Sequence, residues 1–102
     1  MALQIEQRGM MYEDVAASAT AQVLGVNGRA GDYISHIIII PETTAAGTIA
    51  LLDDTVSRNI FVAGTLSNLA PIHVVLGMTS GNGAWKLTTG ANVHAIAVGI
   101  FS

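Results

Sequence analysis

Three histidines, His36, His73 and His94, have the widest chemical range in this 102-residue chain, because imidazole can ligate zinc or carry a proton near neutral pH. They fall on three different predicted strands, where a sandwich could in principle gather them around one ion. No His-x-His or His-Glu-x-x-His pair occurs, however, and the spacing points to half-buried sheet residues. Asp53 and Asp54 offer adjacent carboxylates for calcium, but the further oxygen ligands that calcium needs are missing, so the pair reads as a hairpin turn. Gly81-Asn82-Gly83 lacks the lysine and hydroxyl of a phosphate loop and sits between strand-like segments, whereas that loop opens a helix. No Gly-x-Ser-x-Gly elbow is present. The absence of cysteine removes thiol catalysis, disulfides, iron–sulfur clusters and cysteine–zinc sites together. The aromatic set is Trp85, Tyr12, Tyr33, Phe61 and Phe101, and Trp85 reads as a core plug in preference to a sugar-binding platform, which needs exposed rings. A non-enzymatic protein with no catalytic residue, no metal and no cofactor is expected.

Composition narrows the class further. Apolar residues make up 51% and charged residues 11% of the chain, which excludes disorder and implies surface hidden against copies of itself or a partner. Lys86, Arg8, Arg29 and Arg58 are the only cations and the net charge is −3, so no basic footprint for nucleic acid exists. Glu6 stands where a signal peptide needs an apolar run, and no apolar stretch approaches the ~18 residues of a membrane span. Neither export by that route nor a membrane partner is expected.

The elements that must position these residues read as short strands. From Ala19 onward, β-branched runs are separated by turn chemistry at intervals of roughly 8–14 residues, the spacing of a sandwich or barrel. Tyr33 to Ile40 forms one strand, ended by Pro41, and its Ile37-Ile38-Ile39-Ile40 puts isoleucine on both faces, which demands a central or covered position. Thr48 to Leu52 and Arg58 to Ala63 form a hairpin around Asp53 to Ser57, Gly64 to Ala70 is a loop, and Ile72 to Met78 follows Pro71. Ser80-Gly81-Asn82-Gly83 is the strongest turn signal and leads into Ala84 to Thr88. Val93 to Phe101 closes the chain with Ala95, Ala97 and Gly99 on one face and Ile96, Val98 and Ile100 on the other. The expected fold is all-β: a single small sandwich of seven or eight antiparallel strands spanning residues 19–102.

Residues 1–18 read as a separate N-terminal arm, which holds Glu6, Glu13 and Asp14, three of the seven acidic residues. Leu3 and Ile5 alternate with polar residues and could add to a neighbour's sheet edge. Met10, Met11 and Tyr12 would then be adaptable apolar anchors, with Arg8, Glu13 and Asp14 setting register. The alternative is an arm folded on its own domain as an edge strand.

The stretch Gly83-Ala84-Trp85-Lys86-Leu87-Thr88-Thr89-Gly90-Ala91-Asn92-Val93-His94-Ala95-Ile96-Ala97-Val98-Gly99-Ile100-Phe101 resembles the C-terminal end of short virion proteins of tailed bacteriophages. Ser67-Asn68-Leu69-Ala70-Pro71-Ile72 and the strand from Tyr33 to Pro41 are similar to the same group, so the likeness covers Tyr33 to Ser102. It implies a jelly-roll-like sandwich on the capsid surface of a virion, assembled in the host cytoplasm. The role implied is a capsid decoration or cement protein that binds the major capsid protein and bridges capsid subunits. A homo-oligomer, with a trimer favoured, would match the local three-fold positions of an icosahedral shell. A tail, fibre or connector component and a carbohydrate-binding module are the alternatives.

Overall fold

A computed structural model describes residues 10–62 and 69–102 of the chain. The strands are β1 (Met11–Val15), β2 (Gln22–Val23), β3 (Tyr33–Pro41), β4 (Ile49–Asp53), β5 (Val56–Phe61), β6 (Ile72–Thr79), β7 (Trp85–Thr89) and β8 (Val93–Ile100). They form two four-stranded antiparallel sheets ordered β1-β8-β3-β6 and β2-β7-β4-β5. This order arises when a long antiparallel ribbon, β1 with β8, β2 with β7, β3 with β6 and β4 with β5, wraps so that β8 also pairs with β3 and β7 with β4. That is the eight-stranded jelly roll, in which each sheet takes alternate turns of the ribbon.

The alternating pattern decides which residues meet between the sheets. Ile34, Ile37 and Ile39 of β3 and Ala95 and Ala97 of β8 are buried against Ile49, Leu51, Trp85 and Leu87 of the second sheet. The small residues on β8 let β3's isoleucines fill the layer. At Gly99 the approach is closest: a Cβ there would overlap the Tyr33 carbonyl oxygen and come within 2.9 Å of the Ile34 Cα. β3 bulges beside this contact, between Ile34 and His36, and a bulge bends and twists its strand locally.

Several expectations are refined. The β4–β5 hairpin is tighter than the composition implies, with strand pairing running to Asp53 and Val56 and Asp54 turning at a φ of 59°. β3 is internal to its sheet, as its isoleucine run requires, and among the described residues no third layer of strands packs on its outward side. Residues 11–15 of the expected arm form β1, an edge strand of the domain's own sheet with Val15 fully buried in the core, the arrangement given above as the alternative. The reason is the free edge of β8, whose unpaired backbone groups take the nearest available strand. Leu3, Ile5 and Arg8, with most of the loop expected over residues 64–70, lie outside the described residues.

Candidate interaction surface

Residues opposite one another in an antiparallel pair share a face, so the registers define the outward surface of each sheet. On the first sheet Asp14 lies opposite Ile96, Ile96 opposite Ile38, and Ile38 opposite His73, making one row across all four strands. The adjacent row is Tyr12, Val98, His36 and Val75. Ile100 and Tyr33 with Thr79 extend the face at one end, and His94 with Ile40 at the other. Val75 is 84% exposed, Tyr12 69% and Ile100 55%. An antiparallel sheet with one face on the core ordinarily turns polar residues to water, and this one turns isoleucine, valine and tyrosine.

All three histidines lie on the first sheet, His36 on β3, His73 on β6 and His94 on β8. His36 and His73 meet edge to face, with ring centroids 6.3 Å apart and planes at 74°. His36 Nδ1 is 3.1 Å from Ser35 Oγ, while His94 Nδ1 is 2.8 Å from Glu42 Oε2. Among the described residues no group of three or more His, Asp or Glu side chains converges as a metal site would require. The sheet therefore aligns the imidazoles on one face without bringing them to one point.

The acidic side chains do structural work. Asp53 accepts hydrogen bonds from the backbone N–H groups of Gly81 (2.9 Å), Asn82 (3.1 Å) and Gly83 (3.3 Å). It thereby ties the β4–β5 hairpin to the β6–β7 turn. Partial burial raises its pKa, but these three donors outweigh burial and hold the carboxyl below the usual carboxylate range. Asp54 pairs with Lys86 at 3.6 Å, so the two adjacent acids serve different partners. Asp32, 6% exposed, accepts from Ser102 Oγ (2.6 Å), the Ser102 N–H (2.9 Å) and the Arg29 N–H (3.2 Å). Burial again pushes upward, and the bonds from Ser102 and Arg29 with the Arg29 charge carry the net shift downward. Its carbonyl accepts from Trp85 Nε1 at 2.9 Å, so one residue anchors both the C-terminal end and the buried indole.

Of the residues expected to contact a partner, Tyr12 and Asp14 lie on the outward face of the first sheet, and Met10 and Met11 are about half exposed, at 46% and 47%. Glu13 is engaged within its own domain. It lies opposite Ala97, on the inward side, and there its carboxylate accepts from the Gly25 N–H at 2.7 Å and Gln22 Nε2 at 2.8 Å. Sequence reasoning missed Ile38, His73, Val75, Ile96, Val98 and Ile100 as surface. The available signal was apolar residues at both parities of β3 and β8, which a two-layer sandwich buries on only one side.

Among the described residues, two concavities lie beside this face. A cleft of about 290 Å³ runs along the open side of the sandwich between β5 and β6, lined by Leu51, Val56, Ile60, Leu76, Met78 and Trp85 with Asp53 and Arg58. A shallower groove of about 500 Å³ near β1 is lined by Asp14, Val15, Ala16, Ala17, Gln22, Glu42 and His94. Neither gathers a nucleophile, a base and an orienting group within hydrogen-bond reach of one another. No family model, no curated protein and no solved structure matches the chain.

Proposed function

We propose that this chain is a non-enzymatic assembly protein: a decoration or cement subunit that binds the outside of an icosahedral virion shell as a homo-oligomer and bridges the capsid subunits beneath it. The observation that carries the assembly reading is the outward face of the β1-β8-β3-β6 sheet, where Val75, Tyr12 and Ile100 are exposed beside the half-buried Ile38, Ile40, Ile96 and Val98, although such a face ordinarily turns polar residues to water. The virion reading rests on the resemblance of Tyr33 to Ser102, and the jelly roll is in keeping with it, since that fold recurs in viral capsid domains. The fold recurs in lectins as well, and fold alone does not assign function. Trp85 is buried at 4% exposure, so it offers no ring to a sugar, and Tyr12 by itself is not a platform.

Many identical sites on a shell give avidity, so each copy needs only modest affinity for its neighbours. Counting the copies on purified particles tests the reading. Hundreds per particle, with loss of shell stability when the protein is stripped away, is the expected result. A handful of copies would place the protein in the tail or connector, and specific glycan binding by the isolated protein would replace the assembly reading.

A further inference from the structure

We infer that the outward face of the β1-β8-β3-β6 sheet is the self-association surface of this protein, packed inward around a rotation axis parallel to the strands, with Asp14 of one copy meeting His73 of the next. This rests on the self-association half of the reading above and not on the virion half.

The first observation is the order of residues in one row. Asp14 stands on β1 at one margin, His73 on β6 at the other, and Ile96 and Ile38 fill the positions between. Rotation about an axis parallel to the strands keeps every row at its own level and brings the β1 margin of one copy against the β6 margin of the next. The carboxylate then meets an imidazole and the isoleucines meet isoleucines. In the neighbouring row Tyr12 comes to Val75, the two most exposed apolar positions of the face. A surface carrying acid at one margin and a proton-binding base at the other is complementary to itself, whereas an unrelated partner would have to supply both.

The second observation is size. Four strands at ~4.8 Å and about eight residues at ~3.3 Å give a face of roughly 19 by 26 Å, or about 500 Å². Two such faces reach the total of about 1,000 Å² that a specific interface requires. Side chains fill the ~10 Å between packed sheets, so each layer reaches about 5 Å from its own sheet. Two faces fit directly together at that spacing. Three faces about 19 Å wide set around one axis stand roughly 5.5 Å from it, which one layer of side chains again fills. Four would stand about 9.5 Å away and leave an open channel lined with isoleucine and valine. The width of the sheet thus selects two or three copies, and three is the number that also suits a local three-fold site on a shell.

Sedimentation equilibrium of the full chain tests the inference, with circular dichroism to verify the fold. The wild type is expected to be a closed dimer or trimer. Val75→Glu, at a position open to solvent, and Asp14→Lys should each weaken association by about tenfold or more, as burying an unpaired charge does. Asp14→Lys combined with His73→Glu reverses both ends of the pair and should recover most of that loss. A wild-type monomer, an oligomer of four or more, unchanged association in Val75→Glu, or no recovery in the double variant would each overturn the inference. A monomer that still coats a virion shell through this face would overturn it while leaving the decoration role standing.

Discussion

The two sheets of the sandwich share a core and differ in what they turn to the outside. On the second sheet the outward rows are Val23, Lys86, Leu52 and Ser57, then Thr88, Ala50 and Asn59, so a cation, an amide and hydroxyls break up the apolar residues. On the first sheet Ile96, Ile38, Val98, Val75, Ile100 and Ile40 outnumber the polar positions, which are Asp14 at one margin, Thr79 and the three histidines His36, His73 and His94. Both follow the same period of two along the strand. The difference lies in the residues at the alternate positions, which make the second face the more polar and the first the more apolar of the two.

The contrast can be broken most severely from inside the first sheet. Gly99→Ala should destabilise the domain by about 3 kcal/mol, because the added methyl overlaps the Tyr33 carbonyl and the β3 bulge has no slack to take up the shift. Chemical denaturation with an unchanged m-value measures it. A loss below about 1 kcal/mol would show that β3 and β8 separate easily, and would weaken the description of the outward face as a fixed surface.

Asp32→Ala should have the next largest effect, about 2 kcal/mol, since it leaves the Ser102 and Arg29 groups without their acceptor in a buried setting. The chain end following β8 should loosen first, so hydrogen exchange at Ser102 and Asn27, whose N–H donates to the Ser102 carbonyl, should quicken before that of the second sheet.

These dependencies also mark what was legible beforehand. The strands announced themselves through β-branched runs and Gly-Asn turns, and the inward set Ala95, Ala97 and Gly99 followed from alternation alone. The order of strands did not, because pairing β1 with β8 joins residues as far apart in the chain as Met11 and Gly99, and no local pattern encodes which edge a strand will find. Asp53 was legible as a turn residue but not as an acceptor for a different turn, since Gly81 to Gly83 reach it only after the ribbon has wrapped. The outward face was visible as the surplus of isoleucine on β3 and β8, but the alignment of Asp14 with His73 emerges only from registers across three strand pairs.

Asp53→Asn should cost about 1 kcal/mol, less than the change at Asp32, because the carboxylate is partly solvated and water replaces some of what is lost. Its pH dependence gives the sharper reading. Asp32 and Asp53 both have folded-state pKa values below their ordinary range, so the stability they contribute is complete above the unfolded carboxylate value near pH 4 and is lost as pH falls through the lower folded values. Each variant should show a shallower acid limb than the wild type in melting temperature between about pH 4 and 2, and unchanged limbs would contradict the assigned hydrogen bonds.

The smallest effects on folding belong to exposed positions, and they separate the two faces most cleanly. Ser57→Lys on the second sheet and Val75→Glu on the first both alter side chains open to solvent, and each should change the stability of the dispersed chain by no more than about 0.5 kcal/mol. Only the oligomer distinguishes them. Because association stabilises the folded state by mass action, the wild-type melting temperature should rise with protein concentration. That rise should persist in Ser57→Lys, whose lysine joins a face already carrying Lys86, and should flatten in Val75→Glu, whose carboxylate would be buried opposite Tyr12 of the neighbouring copy. If both variants kept the concentration dependence, the apolar outward face would not be where copies meet. Loss in Ser57→Lys alone would move the contact to the polar sheet and invert the comparison.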